Sequence, residues 1–107
     1  MYYVYIVRCE DGTLYTGIAA DIVRRLRTHL RRTAACARYT RAHRVVSLEA
    51  LWETEEKGSA LRLESRIKQL TRAQKLELLS HRIGLPVDGD YRRAEDDALD
   101  EIFAKAL

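Results

Sequence analysis

Two triplets near the N-terminus, Tyr3-Val4-Tyr5 and Tyr15-Thr16-Gly17, place tyrosines on two segments that read as neighbouring strands. Cross-strand residues on one face of an antiparallel pair approach closely, so Tyr5 and Tyr15 can converge on one spot. A phenol titrates near pH ~10, and beside cations it becomes a usable base for a water molecule. Most strand tyrosines merely pack, which is their ordinary reading. Arg25 and His29 lie four residues apart on the following segment, on one face of a helix. A guanidinium is always charged and offers a bidentate fork to phosphate; an imidazole can carry a proton. Read alone, this run is a solvated cationic face and His29 a partly exposed imidazole. Glu64 shares a helix face with Ala60 and Ile67, toward the core. Either it pairs with Lys68 one turn on, or its carboxylate holds a hydrated Mg²⁺, which takes few protein ligands.

The elements that must position these groups are legible in outline. Residues 2–9 are aromatic and β-branched, the composition of a strand buried on both faces. Glu10-Asp11-Gly12-Thr13 supplies a turn, and Leu14 to Ile18 returns as the second strand of a hairpin. Asp21 is a fitting N-cap for a helix from Ile22 to about Arg32. Residues 33–44 are polar and irregular, with room for one short helical turn. Val45 to Glu53 is the third strand. Ser59 can cap a helix through Leu70, and Thr71-Arg72-Ala73-Gln74 is a capping box opening another. Residues 84–90, with Gly84, Pro86 and Gly89, read as a linker, and 91–107 as an acidic amphipathic C-terminal helix. The order β-β-α-β-α-α-α predicts an α/β (α+β) domain over residues 1–83. Its core is a small three-stranded antiparallel sheet flanked by helices, and the C-terminal helix is an addition.

Composition narrows the classes. A chain of 107 residues with 47% hydrophobic and 33% charged residues fits one soluble globular domain. The apolar stretch Tyr2 to Val7 is too short for a signal peptide, and no run approaches membrane-spanning length. Cys9 and Cys36 form neither a disulfide framework nor a zinc pattern and read as two reduced thiols in a cytoplasmic protein. The net charge of +3 hides an asymmetry. Residues 1–83 carry sixteen Lys/Arg against nine Asp/Glu, a balance of +7; residues 84–107 carry three against seven, a balance of −4. The basic excess accompanies the tyrosine triplets, the footprint of a phosphate-backbone binder or of a solvated Arg-rich surface. Candidate contacts are Arg24, Arg27, Arg31, Arg32, Arg38, Arg41 and Lys68.

Strand, tight turn, strand and basic helix with these residues resembles the GIY-YIG nuclease domain, especially its small stand-alone members, over roughly residues 1–80. In that family two motif tyrosines, an Arg on the next helix, a His or Tyr one turn later and a distant Glu form the active site. The matching positions are Tyr5, Tyr15, Arg25, His29 and Glu64. Five matches in order, each in the right kind of element, are a specific signal; one Tyr-x-Gly is not. There are two departures. Tyr3 stands where the first triplet usually begins with Gly, and the chain contains no Asn, although many family enzymes carry one on the helix after the Glu. That role is vacant or is filled by another group such as Lys75.

The resemblance implies a metal-dependent endonuclease that hydrolyses phosphodiester bonds with one Mg²⁺ or Mn²⁺ anchored by Glu64. It further implies Arg25 at the non-bridging oxygens, Tyr5 as general base, and Tyr15 positioning water or phosphate. His29 then orients a tyrosine or relays the proton, and the two tyrosines' roles are interchangeable at this stage. DNA, branched or single-stranded, is the expected substrate and RNA the second; the protein is expected to be a monomer or homodimer with no membrane contact. The alternatives are a nucleic-acid-binding module that does not cut, and an interaction protein that works through its C-terminal helix.

Overall fold

A computed structural model describes residues 1–31 and 38–107; of Arg41 only the backbone is described. Strands β1 (Tyr2–Cys9) and β2 (Leu14–Ala19) form the expected hairpin, and α1 (Ile22–Arg31) follows it. Next come a short α2 (Arg38–Ala42), β3 (Val45–Thr54), α3 (Lys57–Lys68) and α4 (Arg72–Leu79). The chain closes with β4 (Arg92–Arg93) and α5 (Asp96–Ala106). The sheet is antiparallel in the order β2-β1-β3-β4.

Among the described residues it therefore has four strands, not the expected three. The extra strand lies in the segment expected to be the start of the C-terminal helix. Arg92 and Arg93 pair with Glu53 and Trp52, so the final helix begins only at Asp96. Two residues carry too little pattern for a strand to be recognised from sequence, and here the pairing partner decides. The third helix also starts earlier than Ser59, at Lys57 with Glu56 as N-cap. The capping box at Thr71 and Gln74 forms as expected.

β1 is central, and Val4 to Val7 are sealed on both faces. Tyr5, Val7 and Cys9 pack with Ile22 and Leu26 of α1 and Leu99 of α5. Val4 and Ile6 face the other way, toward Ala60, Leu63 and Ile67 of α3, Leu78 of α4 and Trp52. Each fully buried Leu, Ile or Val contributes on the order of 2 kcal/mol, so both helical layers are held by the one strand. Residues 84–90 contain no helix or strand, but Leu85 and Val87 pack against the second cluster. Arg93 then reaches back to the end of α4, donating to the carbonyls of Leu78 and Leu79 at 2.9 and 3.0 Å and covering the Trp52 ring at 5.3 Å. These bonds supply partners to carbonyls at the helix end, which lack them within the helix. Cys9 is buried as a free thiol; Cys36 lies outside the described residues.

Candidate active site

Tyr5 and Gly17 are register partners on β1 and β2. The Tyr5 ring crosses Gly17 so closely that a Cβ added there would stand 2.5 Å from the ring Cζ. Glycine is required by this approach, not by an unusual backbone angle. The phenol thus reaches α1, where two side chains meet it. Its hydroxyl lies 2.7 Å from His29 Nε2 and accepts from Arg25 Nε at 3.4 Å. The far nitrogen of His29, Nδ1, lies 2.6 Å from Thr40 Oγ1 on α2. Local sequence explains the delivery: Asp21 accepts from the backbone N–H of Arg24 at 3.1 Å, starting α1 so that Arg25 and His29 share its inward face.

The two tyrosines differ in environment. Tyr5 is fully buried, whereas Tyr15 is half-buried and its ring meets His29 edge-on with centroids 5.8 Å apart. Tyr15 also stacks on Tyr39, which stacks on His43 and donates to Thr13 Oγ1 at 2.5 Å. Glu64 approaches from α3. Its side chain is 17% exposed and lies 3.5 Å from Lys68 Nζ, and Lys68 in turn sits 6.0 Å from the centre of the Tyr15 ring.

Burial dominates the electrostatics. It pushes the Tyr5 phenol up to about 12, against the hydrogen bond and positive charge of Arg25, which pull it down. The negative charge of Glu64 adds slightly to the rise. Burial, helped by the charge of Arg25, holds His29 down to about 4. At neutral pH a neutral phenol therefore faces a neutral imidazole. The expectation that neighbouring cations acidify Tyr5 is reversed in the resting protein, because losing water costs a phenolate more than one guanidinium returns.

The structure brings Tyr5, Arg25 and His29 into direct contact, with Tyr15 against His29 and Glu64 joined to Tyr15 through Lys68. His29 is sealed rather than partly exposed. Arg24, Arg27 and Arg31 do not join the site. They line a separate depression on the outer side of α1, and Arg27 donates to the Lys105 carbonyl at 3.0 Å, tying down the end of α5. Arg38 is exposed on α2; Arg32 and the side chain of Arg41 lie outside the described residues. Thr40 escaped the sequence reading because it stands in a segment with no periodicity, and nothing in its surroundings marks it as a partner of His29.

One carboxylate is a sparse donor set. Among the described residues no three His, Cys, Asp or Glu side chains converge, and the only ion pair of Glu64 is the one with Lys68. A half-buried carboxylate with one exposed cationic neighbour fits an ion that keeps most of its own waters, as Mg²⁺ does. It does not fit zinc, which takes several protein ligands.

The sequence matches the GIY-YIG catalytic domain over residues 1–77. The chain belongs to the GIY-YIG family. It is 40% identical over 79 residues to the UPF0213 protein FN1575 of Fusobacterium nucleatum, covering 74% of this chain and 77% of that one. It is 44% identical over 75 residues to the UPF0213 protein VNG_2274C of Halobacterium salinarum, covering 70% and 95%. The solution NMR structure of the UPF0213 protein BH0048 from Bacillus halodurans matches with TM-score 0.49 at 39% identity, covering 78% of this chain and 88% of that one.

Proposed function

We propose that this protein is a metal-dependent endonuclease that hydrolyses phosphodiester bonds in DNA, branched or single-stranded. The observation that carries the reading is the contact of Tyr5 with both His29 and Arg25, beside a half-buried carboxylate. Glu64 is the residue that would hold Mg²⁺ or Mn²⁺, which when bound would supply positive charge against that building on the leaving oxygen. Arg25 bears on the non-bridging oxygens of the scissile phosphate. Tyr5 is the general base and works as a relay. Its oxygen accepts the proton of the attacking water while its own proton passes to His29 Nε2, and the Nδ1–H donates to Thr40. An arriving phosphate offsets the charge of Arg25, one of the two causes that hold the proton affinity of His29 down. Tyr15, the more open phenol, positions water or phosphate.

The nuclease unit is residues 1–83, with 84–107 an addition whose α5 docks on the same sheet through Leu99 and Ala106. No helix among the described residues is long and apolar enough to cross a membrane, and the cytoplasm is the compartment proposed. A module that binds nucleic acid without cutting is the second reading, favoured by the high proton affinity of Tyr5. Purified protein incubated with plasmid, single-stranded and branched DNA, and with RNA, separates the two. Cleavage with Mg²⁺ or Mn²⁺ that stops with EDTA supports the nuclease; salt-sensitive binding without products supports the module.

A further inference from the structure

The outer side of β2 and the corner between α3 and α4 enclose an open groove of about 350 Å³. Tyr15, Thr16, Tyr39, Lys68, Arg72 and Lys75 line it, and among the described residues no carboxylate does. Lys68 is shared with Glu64, but among the described residues Arg72 and Lys75 have no acidic partner. Arg72 and Lys75, beside a Lys68 that Glu64 already shares, leave the cavity with positive charge that suits an incoming anion. The most buried of these residues, Thr16, is 3% exposed, and its Oγ1 has no hydrogen-bond partner. Buried hydroxyls are rarely left so, and a ligand oxygen or water is the usual remedy. Tyr15 belongs both to this groove and to the active site, which makes the two contiguous.

We propose that this groove is a phosphate subsite in which Arg72, Lys75 and the Thr16 hydroxyl hold the phosphodiester next to the one being cut. The inference rests on the nucleic-acid reading above and deepens it. It assigns the strand's path to the α3–α4 corner, away from the outer face of α1, where Arg27 is already engaged with α5. The three groups have distinct parts. Arg72 and Lys75 neutralise charge, and Thr16 donates one hydrogen bond that fixes the register of the strand against Tyr15.

The test measures binding of a short fluorescein-labelled single-stranded DNA to the full chain in EDTA, across a salt series. The Arg72→Gln/Lys75→Gln protein should bind about tenfold more weakly at low salt, with the slope of log K on log salt reduced by about 1. Arg62→Gln/Arg82→Gln, which removes equal charge from exposed positions elsewhere, should stay within about twofold of wild type. Thr16→Val should melt at the same or a higher temperature, because an unpartnered hydroxyl is gone, yet bind severalfold more weakly. Wild-type affinity and slope in Arg72→Gln/Lys75→Gln would overturn the subsite while leaving the nuclease reading intact. Equal losses in both double variants would overturn it too, as a general charge effect. Unchanged binding by Thr16→Val would remove the hydroxyl from the assignment. Wild-type protein that neither binds nor cuts any nucleic acid would sink the parent reading instead.

Discussion

The phenol of Tyr5 lies across Gly17, its partner on the neighbouring strand, and the missing Cβ of Gly17 is the space through which Tyr5 reaches Arg25 and His29. The strand-borne glycine is therefore part of the site's construction. In Gly17→Ala the methyl group meets the ring, and either the phenol or the hairpin must move. A loss of about 1–3 kcal/mol is expected from such overpacking. Cleavage should fall further than the stability loss explains, since the displaced hydroxyl leaves His29. Denaturant melts paired with cleavage rates check this; wild-type values in both would contradict it.

Tyr5→Phe removes the hydroxyl and leaves the ring's packing. His29 Nε2 then loses its partner inside the core, at a cost of about 1–3 kcal/mol. The relay is gone, so the cleavage rate should drop by about 100-fold or more with substrate binding unchanged. Tyr15→Phe, at a half-buried position, should cost less stability. Single-turnover rates beside anisotropy-measured affinities separate these effects.

Acid should weaken the fold through His29. Its proton affinity falls from 6.5 to about 4 on folding, so between these values the unfolded chain binds more protons. Stability then declines as pH is lowered through that window, by no more than about 3 kcal/mol. Tyr5 acts at the other end: raised from 10.0 to about 12, it stays protonated in the fold after the unfolded phenol has ionised. Stability should therefore fall again as pH rises from about 10 toward 12. Urea titrations of wild type and His29→Gln across both windows provide the check, and the acid decline should shrink in the variant.

On the proposed mechanism Thr40 is a positioning residue, acting through its contact with His29 Nδ1. Thr40→Val should leave Mn²⁺ affinity at Glu64 unchanged, reduce cleavage, and move the pH profile of the rate. Thr40→Ser should restore both. A Val variant with a normal pH profile would show that the contact is merely structural.

The hairpin, its turn, α1 and the α4 capping box were legible because each announces itself locally: β-branched runs, Asp11-Gly12, Asp21, and Thr71 with Gln74. The family motif then picks out five candidate site residues from scattered positions. What stayed hidden depends on tertiary placement. β4 exists only because Glu53 and Trp52 are there to pair with it, and α5 starts late as a result. The sealing of His29 and the rise in Tyr5 follow from burial, which neither spacing nor charge reveals. The basic run on α1 looked like one surface, but helical periodicity divides it. Arg25 turns inward, while Arg24, Arg27 and Arg31 turn away toward the outer depression.

The central claim is cleavage that depends on a metal held at Glu64. The direct measurement compares wild type and Glu64→Ala, purified in parallel, on single-stranded and branched DNA with Mg²⁺, Mn²⁺ or EDTA. Far-UV circular dichroism confirms that both are folded. The account predicts cleavage by wild type with either metal, none in EDTA, and none by Glu64→Ala under any condition. Equal cleavage by the two proteins, or cleavage that survives EDTA, would contradict it.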